Sequence, residues 1–179
     1  MPTTNTAFQL SEAFWRELVD GHWQKKPGSF EQPSPTPFAS PEDVFDALVG
    51  ALERIRRGEL ERNLRPYVDG KLTRAADDIG PVKSDGSLSG YVERMRRTHD
   101  DKPFALVVNN AQVLHETIWR NTLAVVHEYR RRIGQPVGGA DVVLFFNRCE
   151  QSAFGIHKDT LENITFVIQG RKRFLTWPY

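Results

Sequence analysis

Two side chains that could bind a metal ion lie close together near the end of the sequence, in the segment His157-Lys158-Asp159. Side chains alternate between the two faces of an extended strand, so His157 and Asp159 are expected on one face and Lys158 on the other. An imidazole and a carboxylate placed in this way can occupy two adjacent corners of an octahedral metal ion and leave other positions open. The pattern is also common by chance, and the alternative is a surface strand whose histidine and aspartate pair with each other or with solvent.

The residues after this pair follow a recognisable order. Asn163 comes shortly after Asp159, an apolar run leads to Gly170, Lys172 follows directly, and an aromatic run ends at Pro178. This order resembles the core of the JmjC-type (cupin-like) Fe(II)/2-oxoglutarate-dependent oxygenases. Near the N-terminus, Phe14-Trp15 and the segment 22–27 are similar to the aromatic and Lys-x-Pro segment that many bacterial JmjC-like proteins have before their first barrel strand.

The resemblance implies a role for each of these residues. His157 and Asp159 would be the first two ligands of Fe(II). Lys172, which stands at the family's spacing of fifteen positions after the histidine, would bind the far carboxylate of 2-oxoglutarate. A charged ammonium on a strand of an apolar barrel needs an anionic partner, and this co-substrate supplies one. Asn163 would lie beside the co-substrate. Thr165 could also reach the pocket, or satisfy its hydroxyl locally.

The implied function is an Fe(II)- and 2-oxoglutarate-dependent dioxygenase that uses oxygen to hydroxylate a C–H bond of a protein, peptide or natural-product side chain. The alternative is a non-catalytic cupin-like protein that uses its barrel for binding or assembly. Retention of His157, Asp159 and Lys172 together favours the enzyme, because a scaffold has no need of a lysine facing a metal site. A storage or isomerase cupin would instead require a cluster of histidines.

The sequence departs from the family's pattern in two places. Many family members have threonine or serine three residues before the metal histidine, where this chain has Phe154. The family's third iron ligand is a histidine well downstream of the lysine, whereas this sequence ends at Tyr179. We therefore expect a fragment that lacks the C-terminal barrel strands and is inactive alone. The other histidines precede the motif and are expected to be exposed or on helix faces: His22, His99, His115 and His127.

The composition is that of one soluble domain. The chain has 179 residues, of which 39% are hydrophobic, and its net charge of +1 gives no reason to expect nucleic acid as a partner. There is no secretory signal and no apolar run of membrane-spanning length, so we expect a cytoplasmic protein without a membrane partner. Cys149 has no second cysteine to pair with and is expected to be packed, and Glu150 solvated. Whether the protein forms a homodimer is left open by the sequence.

The expected fold class is α+β, with a mainly helical part over 1–135 and the early strands of an incomplete double-stranded β-helix over 136–179. Ser11 is expected to cap a helix that extends to His22, and Ser40-Pro41 to begin another that extends to about Arg57. The proline-rich segment 27–41 should be irregular and the segment 64–90 mostly loop. A third helix is expected over 113–132, with core positions Leu114, Ile118, Leu123 and Val126. Strands are expected over 104–109, 141–146, 154–158, 164–169 and 171–177.

Overall fold

The computed structural model describes residues 7–61, 64–73, 79–152 and 155–177. It combines helices with one four-stranded antiparallel sheet, so the predicted α+β class is confirmed. Two compact units are present: the first consists of residues 1–40, 120–140 and 160–179, and the second of residues 41–119 and 141–159. Within the described ranges, no helix has both the length and the apolar character that a bilayer span requires.

The elements have the following bounds. The α-helices are α1 (Glu12–Glu17), α2 (Pro41–Arg56), α3 (Leu88–Thr98) and α4 (Glu116–Arg132). Shorter helical turns are a π-helix at Leu18–His22 and 3-10 turns at Lys83–Asp85 and Ala111–Val113. The strands are β1 (Leu64–Val68), β2 (Lys71–Leu72), β3 (Phe104–Val108) and β4 (Leu144–Arg148).

In the first unit, an aromatic cluster holds the N-terminal and C-terminal segments together. Phe166 stacks on Phe38 with ring centroids 4.6 Å apart, and Phe8 meets both rings edge to face. Such pairs contribute about 0.5–1.5 kcal/mol beyond the apolar area that they bury. The buried residues of the cluster are Phe8, Leu10, Phe14, Trp15 and Leu18.

The predicted N-terminal helix is confirmed, and it has two parts. Ser11 caps α1, its Oγ accepting a hydrogen bond from the backbone N–H of Phe14 at 3.1 Å. The chain then continues as the π-helix Leu18–His22. The cap satisfies one of the N–H groups that a helix leaves unpaired at its start.

Replacing Ser11 by alanine should therefore lower the free energy of unfolding by about 1 kcal/mol. Chemical denaturation followed by circular dichroism measures this difference. Ser11→Asp should retain most of the stability, because aspartate is as good a cap. Equal losses in both variants would show that the cap does not contribute through its hydrogen bond.

The second unit is built around the sheet, in which the strands follow the order β2-β1-β3-β4. All five residues of β3 are buried, which confirms the strand predicted from this apolar run. Pro66 of β1 and Phe146 of β4 lie opposite Leu106 of β3 on its two sides. Tyr91 and Met95 of α3 pack with Phe104 in the core of this unit. On α2, Phe45, Leu48 and Leu52 are buried and Ile55 is half-buried.

The prediction that segment 64–90 is mostly loop is wrong. Asp69 and Gly70 both have positive φ, 53° and 71°, and form the two-residue turn of a hairpin that joins β1 to β2. Positive φ at both central positions matches the right-handed twist of paired strands, and glycine adopts it without steric cost. Ser87 then caps α3 by accepting a hydrogen bond from the N–H of Gly90.

Two further predictions need correction. Of the predicted core positions on α4, only Ile118 is fully buried, and Leu123 is 49% exposed. The helix turns a different face inward, which carries the buried Asn121, whose side chain donates a hydrogen bond to the carbonyl of Phe38 at 2.7 Å. The strand predicted over 141–146 begins at Leu144.

The remaining predicted strands are not observed in residues 155–177, where no strand is present. Burial does alternate along this segment, with Ile164, Phe166 and Ile168 half-buried and the residues between them exposed. The alternation that predicts a strand is therefore present, but a strand also needs a backbone hydrogen-bonding partner, which the described residues do not provide.

Candidate functional site

The structure places His157 and Asp159 side by side, but not on a strand, since none is present in residues 155–177. His157 Nε2 lies 3.4 Å from Asp159 Oδ1. Both side chains are exposed, by 51% and 59% respectively, so the described residues do not enclose them. The pair is open to an ion or a ligand from solvent.

Both ring nitrogens of His157 face hydrogen-bond acceptors. Nδ1 lies 3.1 Å from the carbonyl oxygen of Gly155, and Nε2 faces the Asp159 carboxylate. A carbonyl and a carboxylate only accept hydrogen bonds, so a ring nitrogen that carries a proton can donate it to either group.

This arrangement fits two ligands of one divalent metal ion. Bonds of about 2.1 Å at a right angle would place the two donor atoms about 3 Å apart, close to the observed separation. Metal-binding histidines commonly donate their other ring N–H to a carbonyl or carboxylate, and the Gly155 carbonyl lies within reach of His157 Nδ1. Within the part of the chain that the structure describes, no group of three His, Cys, Asp or Glu side chains could hold a metal. His157 and Asp159 are therefore at most two candidate ligands.

The residues expected at the co-substrate belong to the first unit, whereas the metal pair belongs to the second. Asn163 and Thr165 share the exposed face of the alternating segment, and Asn163 Nδ2 donates a hydrogen bond to the carbonyl of Leu161 at 3.3 Å. Lys172 is exposed, and its Nζ lies 4.8 Å from the centre of the Phe174 ring. The expectation of a lysine surrounded by apolar side chains is therefore not met, because the aromatic ring covers only one side of the ammonium.

Two predictions about neighbouring residues have different outcomes. Cys149 was expected to be packed and is exposed, because it follows the last residue of β4, an edge strand. Glu150 is exposed, as predicted. Phe154, at the position where the family often has a hydroxyl side chain, lies outside the described residues.

A cavity of about 580 Å³ in the second unit was not predicted from the sequence. It lies where the β1–β2 hairpin, β3 and β4 come together, and it is lined by residues that include Tyr67, Asp69, Phe104, Arg148 and Gln151. The turn signal at Asp69-Gly70 could have located the hairpin, but the meeting of three strands depends on pairings between distant residues.

An ion-pair network borders this cavity. Asp101 Oδ1 lies 2.7 Å from Arg96 Nε and 2.8 Å from Arg148. The hydrogen bond from Arg96 and the positive charge of Arg148 hold the pKa of Asp101 below its ordinary value. The cavity wall therefore carries a fixed carboxylate and a guanidinium at neutral pH.

The four other histidines have local roles. His22 Nδ1 is 3.0 Å from the carbonyl oxygen of Pro27, and His115 Nδ1 accepts a hydrogen bond from the N–H of Thr117 at the start of α4. His99 is the C-cap of α3, and His127 is an exposed residue of α4. The expectation that these histidines are exposed or on helix faces is met by His127 and by His22 in the π-helix, whereas His99 and His115 are half-buried residues that flank helices.

No protein-family model, curated protein or solved structure gives a significant match to this chain.

Proposed function

We propose that this chain carries the metal-binding part of a cytoplasmic Fe(II)- and 2-oxoglutarate-dependent oxygenase, built on a double-stranded β-helix of the JmjC type. Its substrate would be a C–H bond in a side chain of a protein, a peptide or a natural product. The observation that supports this proposal best is the position of His157 Nε2 beside the Asp159 carboxylate, with a backbone carbonyl 3.1 Å from Nδ1. A backbone carbonyl is a common partner of the second ring nitrogen of a metal-binding histidine.

Each residue would contribute binding or orientation. His157 and Asp159 would hold Fe(II) through an imidazole nitrogen and a carboxylate oxygen. Lys172 would pair with the far carboxylate of 2-oxoglutarate, and its exposed ammonium is accessible for that purpose. Asn163 and Thr165, which share an exposed face, would supply neutral hydrogen-bonding groups beside the co-substrate. When bound, iron, 2-oxoglutarate and oxygen would supply the oxidising chemistry, and the co-substrate would leave as succinate and carbon dioxide.

The cavity in the second unit is our candidate for the place where the substrate side chain binds. Gln151, on its wall, precedes His157 by six residues, a stretch that spans at most about 20 Å. Tyr67 offers an aromatic surface, and Asp101 and Arg148 offer charged groups. These are the elements of a typical binding site, in which a few polar groups orient a ligand against apolar walls.

A non-catalytic cupin-like binding or assembly protein is the second candidate. It is favoured by the half-exposed state of His157 and Asp159, and by the absence of a third metal-binding side chain beside them in the described ranges. In such a protein, His157 and Asp159 would lie close together without a third side chain to complete a metal site. Turnover of 2-oxoglutarate distinguishes the two candidates.

The test is the formation of succinate from 2-oxoglutarate by the product of the full gene, with Fe(II), ascorbate and oxygen. Lys172→Ala should raise the apparent KM for 2-oxoglutarate about tenfold or more, because one charge-assisted hydrogen bond is worth about 1.5–3 kcal/mol. The requirement for Fe(II) should change little. The matched control is Arg173→Ala, which removes an exposed positive charge one position further along the same segment.

Equal weakening of the iron and the 2-oxoglutarate requirements in Lys172→Ala would assign the lysine a structural role. An absence of succinate from the full gene product, under conditions where it binds Fe(II), would favour the binding or assembly protein.

A further inference from the structure

A small cavity in the first unit is lined by a residue whose polar group the chain leaves unsatisfied. The cavity has a volume of about 190 Å³ and lies between the N-terminal segment 7–15 and α4. Trp15, in its wall, is only 1% exposed, and the indole Nε1 has no hydrogen-bond partner among the described residues. Buried polar groups are nearly always hydrogen-bonded, so this donor is available to an acceptor from outside the chain.

The other walls of the cavity indicate the body of such a partner. Phe8, Leu10 and Val125 present apolar surface. Apolar surface favours a carbon skeleton over water, and a buried water molecule typically needs about three hydrogen bonds. A cavity of about 150 Å³ accommodates benzene, so this cavity has room for one ring with a small substituent.

The charged residues around the cavity disfavour ions of either sign. Glu128, in the wall, accepts hydrogen bonds from Arg131 at 2.8 Å and from Arg132 at 3.0 Å. Burial raises the pKa of Glu128, but these hydrogen bonds outweigh burial and hold this pKa below its ordinary value. The carboxylate is therefore charged at neutral pH and disfavours an anion. The Arg132 guanidinium lies over the ring of Trp15, 5.6 Å from its centre, and disfavours a cation.

We infer that this cavity binds a neutral organic compound with one ring and a carbonyl oxygen, and that the oxygen accepts a hydrogen bond from Trp15 Nε1. The oxygen would satisfy the buried donor, while the ring would lie against the apolar walls. Such a combination of apolar surface with one polar group is typical of small-molecule sites. All the lining residues belong to the first unit, and none of them is part of the proposed oxygenase site.

Two probes of the same shape test this site. Acetophenone has a carbonyl oxygen where α-methylstyrene has a CH₂ group. In a ¹H–¹⁵N NMR spectrum of the full chain, the indole N–H signal of Trp15 should move downfield with acetophenone, as the signal of a hydrogen-bonded proton does, and should move less with α-methylstyrene. The chain has four tryptophans, and the signal missing from Trp15→Phe is that of Trp15. If that variant does not fold, Trp23→Phe, Trp119→Phe and Trp177→Phe assign the other three signals and leave that of Trp15.

Titrations followed in the same spectra give the affinities. The ratio of the affinity for acetophenone to that for α-methylstyrene should be about 10-fold lower in Trp15→Phe than in the unmodified chain, because phenylalanine has no donor for the carbonyl. The ratio is informative because the smaller ring enlarges the cavity for both compounds alike.

A second variant tests the location of the site. Ala124→Leu adds bulk to the cavity wall and should weaken the binding of both compounds about 10-fold or more. The control is Leu123→Ala, at an exposed position of α4 that does not line the cavity, and both affinities should be unchanged in this variant.

Three results would overturn the inference. The first is a Trp15 signal that stays in place while acetophenone binds, and the second is an affinity ratio that is the same in Trp15→Phe. The third is the absence of binding by either compound up to its solubility, which would assign the cavity to water.

Discussion

Replacing Asp85 by alanine should lower the free energy of unfolding by about 3–5 kcal/mol, the usual cost of removing one partner from a buried ion pair. The Asp85 side chain is only 3% exposed, and its Oδ1 lies 2.7 Å from Arg94 Nε. Arg94 also donates to Oδ2 and to the carbonyl of Gly80, at 3.1 Å and 2.7 Å. Alanine would leave this guanidinium, whose side chain is 24% exposed, without its charged partner.

The same carboxylate orders the chain before α3. Its Oδ2 accepts a hydrogen bond from the N–H of Val82 at 2.8 Å, at the start of the 3-10 turn Lys83–Asp85. Arg94 in turn lies over the ring of Tyr91, 5.5 Å from its centre, on the core side of α3. Asp85 therefore connects the loop to the helix that packs on the sheet, and its loss should affect the whole second unit.

Urea denaturation of Asp85→Ala and of the unmodified protein measures the effect. The control is Glu59→Ala, which breaks the pair between Arg57 and Glu59, two side chains that are each more than half exposed. Exposed pairs contribute little to stability, so this variant should unfold almost as the unmodified protein does. Similar losses in the two variants would show that burial of the Asp85–Arg94 pair is not what makes it important.

Acid should remove the contribution of Asp85. Burial raises the pKa of Asp85, but hydrogen bonds from Arg94 and the Val82 N–H outweigh burial and hold this pKa below its ordinary value. A depressed folded-state pKa means that the stabilisation is present above the unfolded-state pKa of about 3.9 and is lost as the pH falls through the lower, folded-state value. The difference in stability between the unmodified protein and Asp85→Asn should therefore shrink below about pH 4. A difference that stays constant at lower pH would contradict this account.

Local signals in the sequence predicted α1, α2, α4 and β3, but they did not predict α3. Ser11 and Pro41 mark helix starts through capping and through proline at the first turn, effects that involve only neighbouring residues. The run Phe104–Val108 is apolar throughout because the strand is buried on both faces. These elements depend on interactions within a few residues, which a sequence pattern records directly.

The strand β1 could not be recognised in the same way. It contains Pro66 and Arg65, and its partner β3 lies about forty residues away, with Leu64 opposite Val108. A strand is stabilised by its neighbour in the sheet, so its own composition was a poor guide. The cavity beside Tyr67 and Arg148 depends on the same pairing of distant strands, so it could not be predicted from the sequence either.

At the candidate site, the sequence predicted which residues lie close together but not how exposed their side chains are. The spacing of His157 and Asp159 predicted that they lie close together, but the strand assumed in that prediction is not observed in residues 155–177. The exposure of Lys172 was not predicted, because burial depends on what packs over a segment rather than on the segment itself.

Replacing His157 by alanine should lower the affinity of the chain for Fe(II) by about 100-fold or more. Loss of a group that merely orients a ligand costs 10- to 100-fold, and loss of the ligand itself should cost at least as much. Asp159→Asn should have a comparable effect, because an amide oxygen keeps the shape of the carboxylate but not its charge. Anaerobic calorimetric titration with Fe(II) measures each affinity, and His127→Ala, at an exposed position of α4, is the control.

The absolute affinity of the unmodified 179-residue chain should be low. The described residues offer the ion two ligands and no third His, Cys, Asp or Glu side chain, so the ion would keep most of its water. Even so, the rank order is decisive: His127→Ala should match the unmodified chain, while His157→Ala and Asp159→Asn should both bind at least two orders of magnitude more weakly. Fe(II) binding that survives in both of these variants would place the ion elsewhere on the chain and remove the main support for an oxygenase.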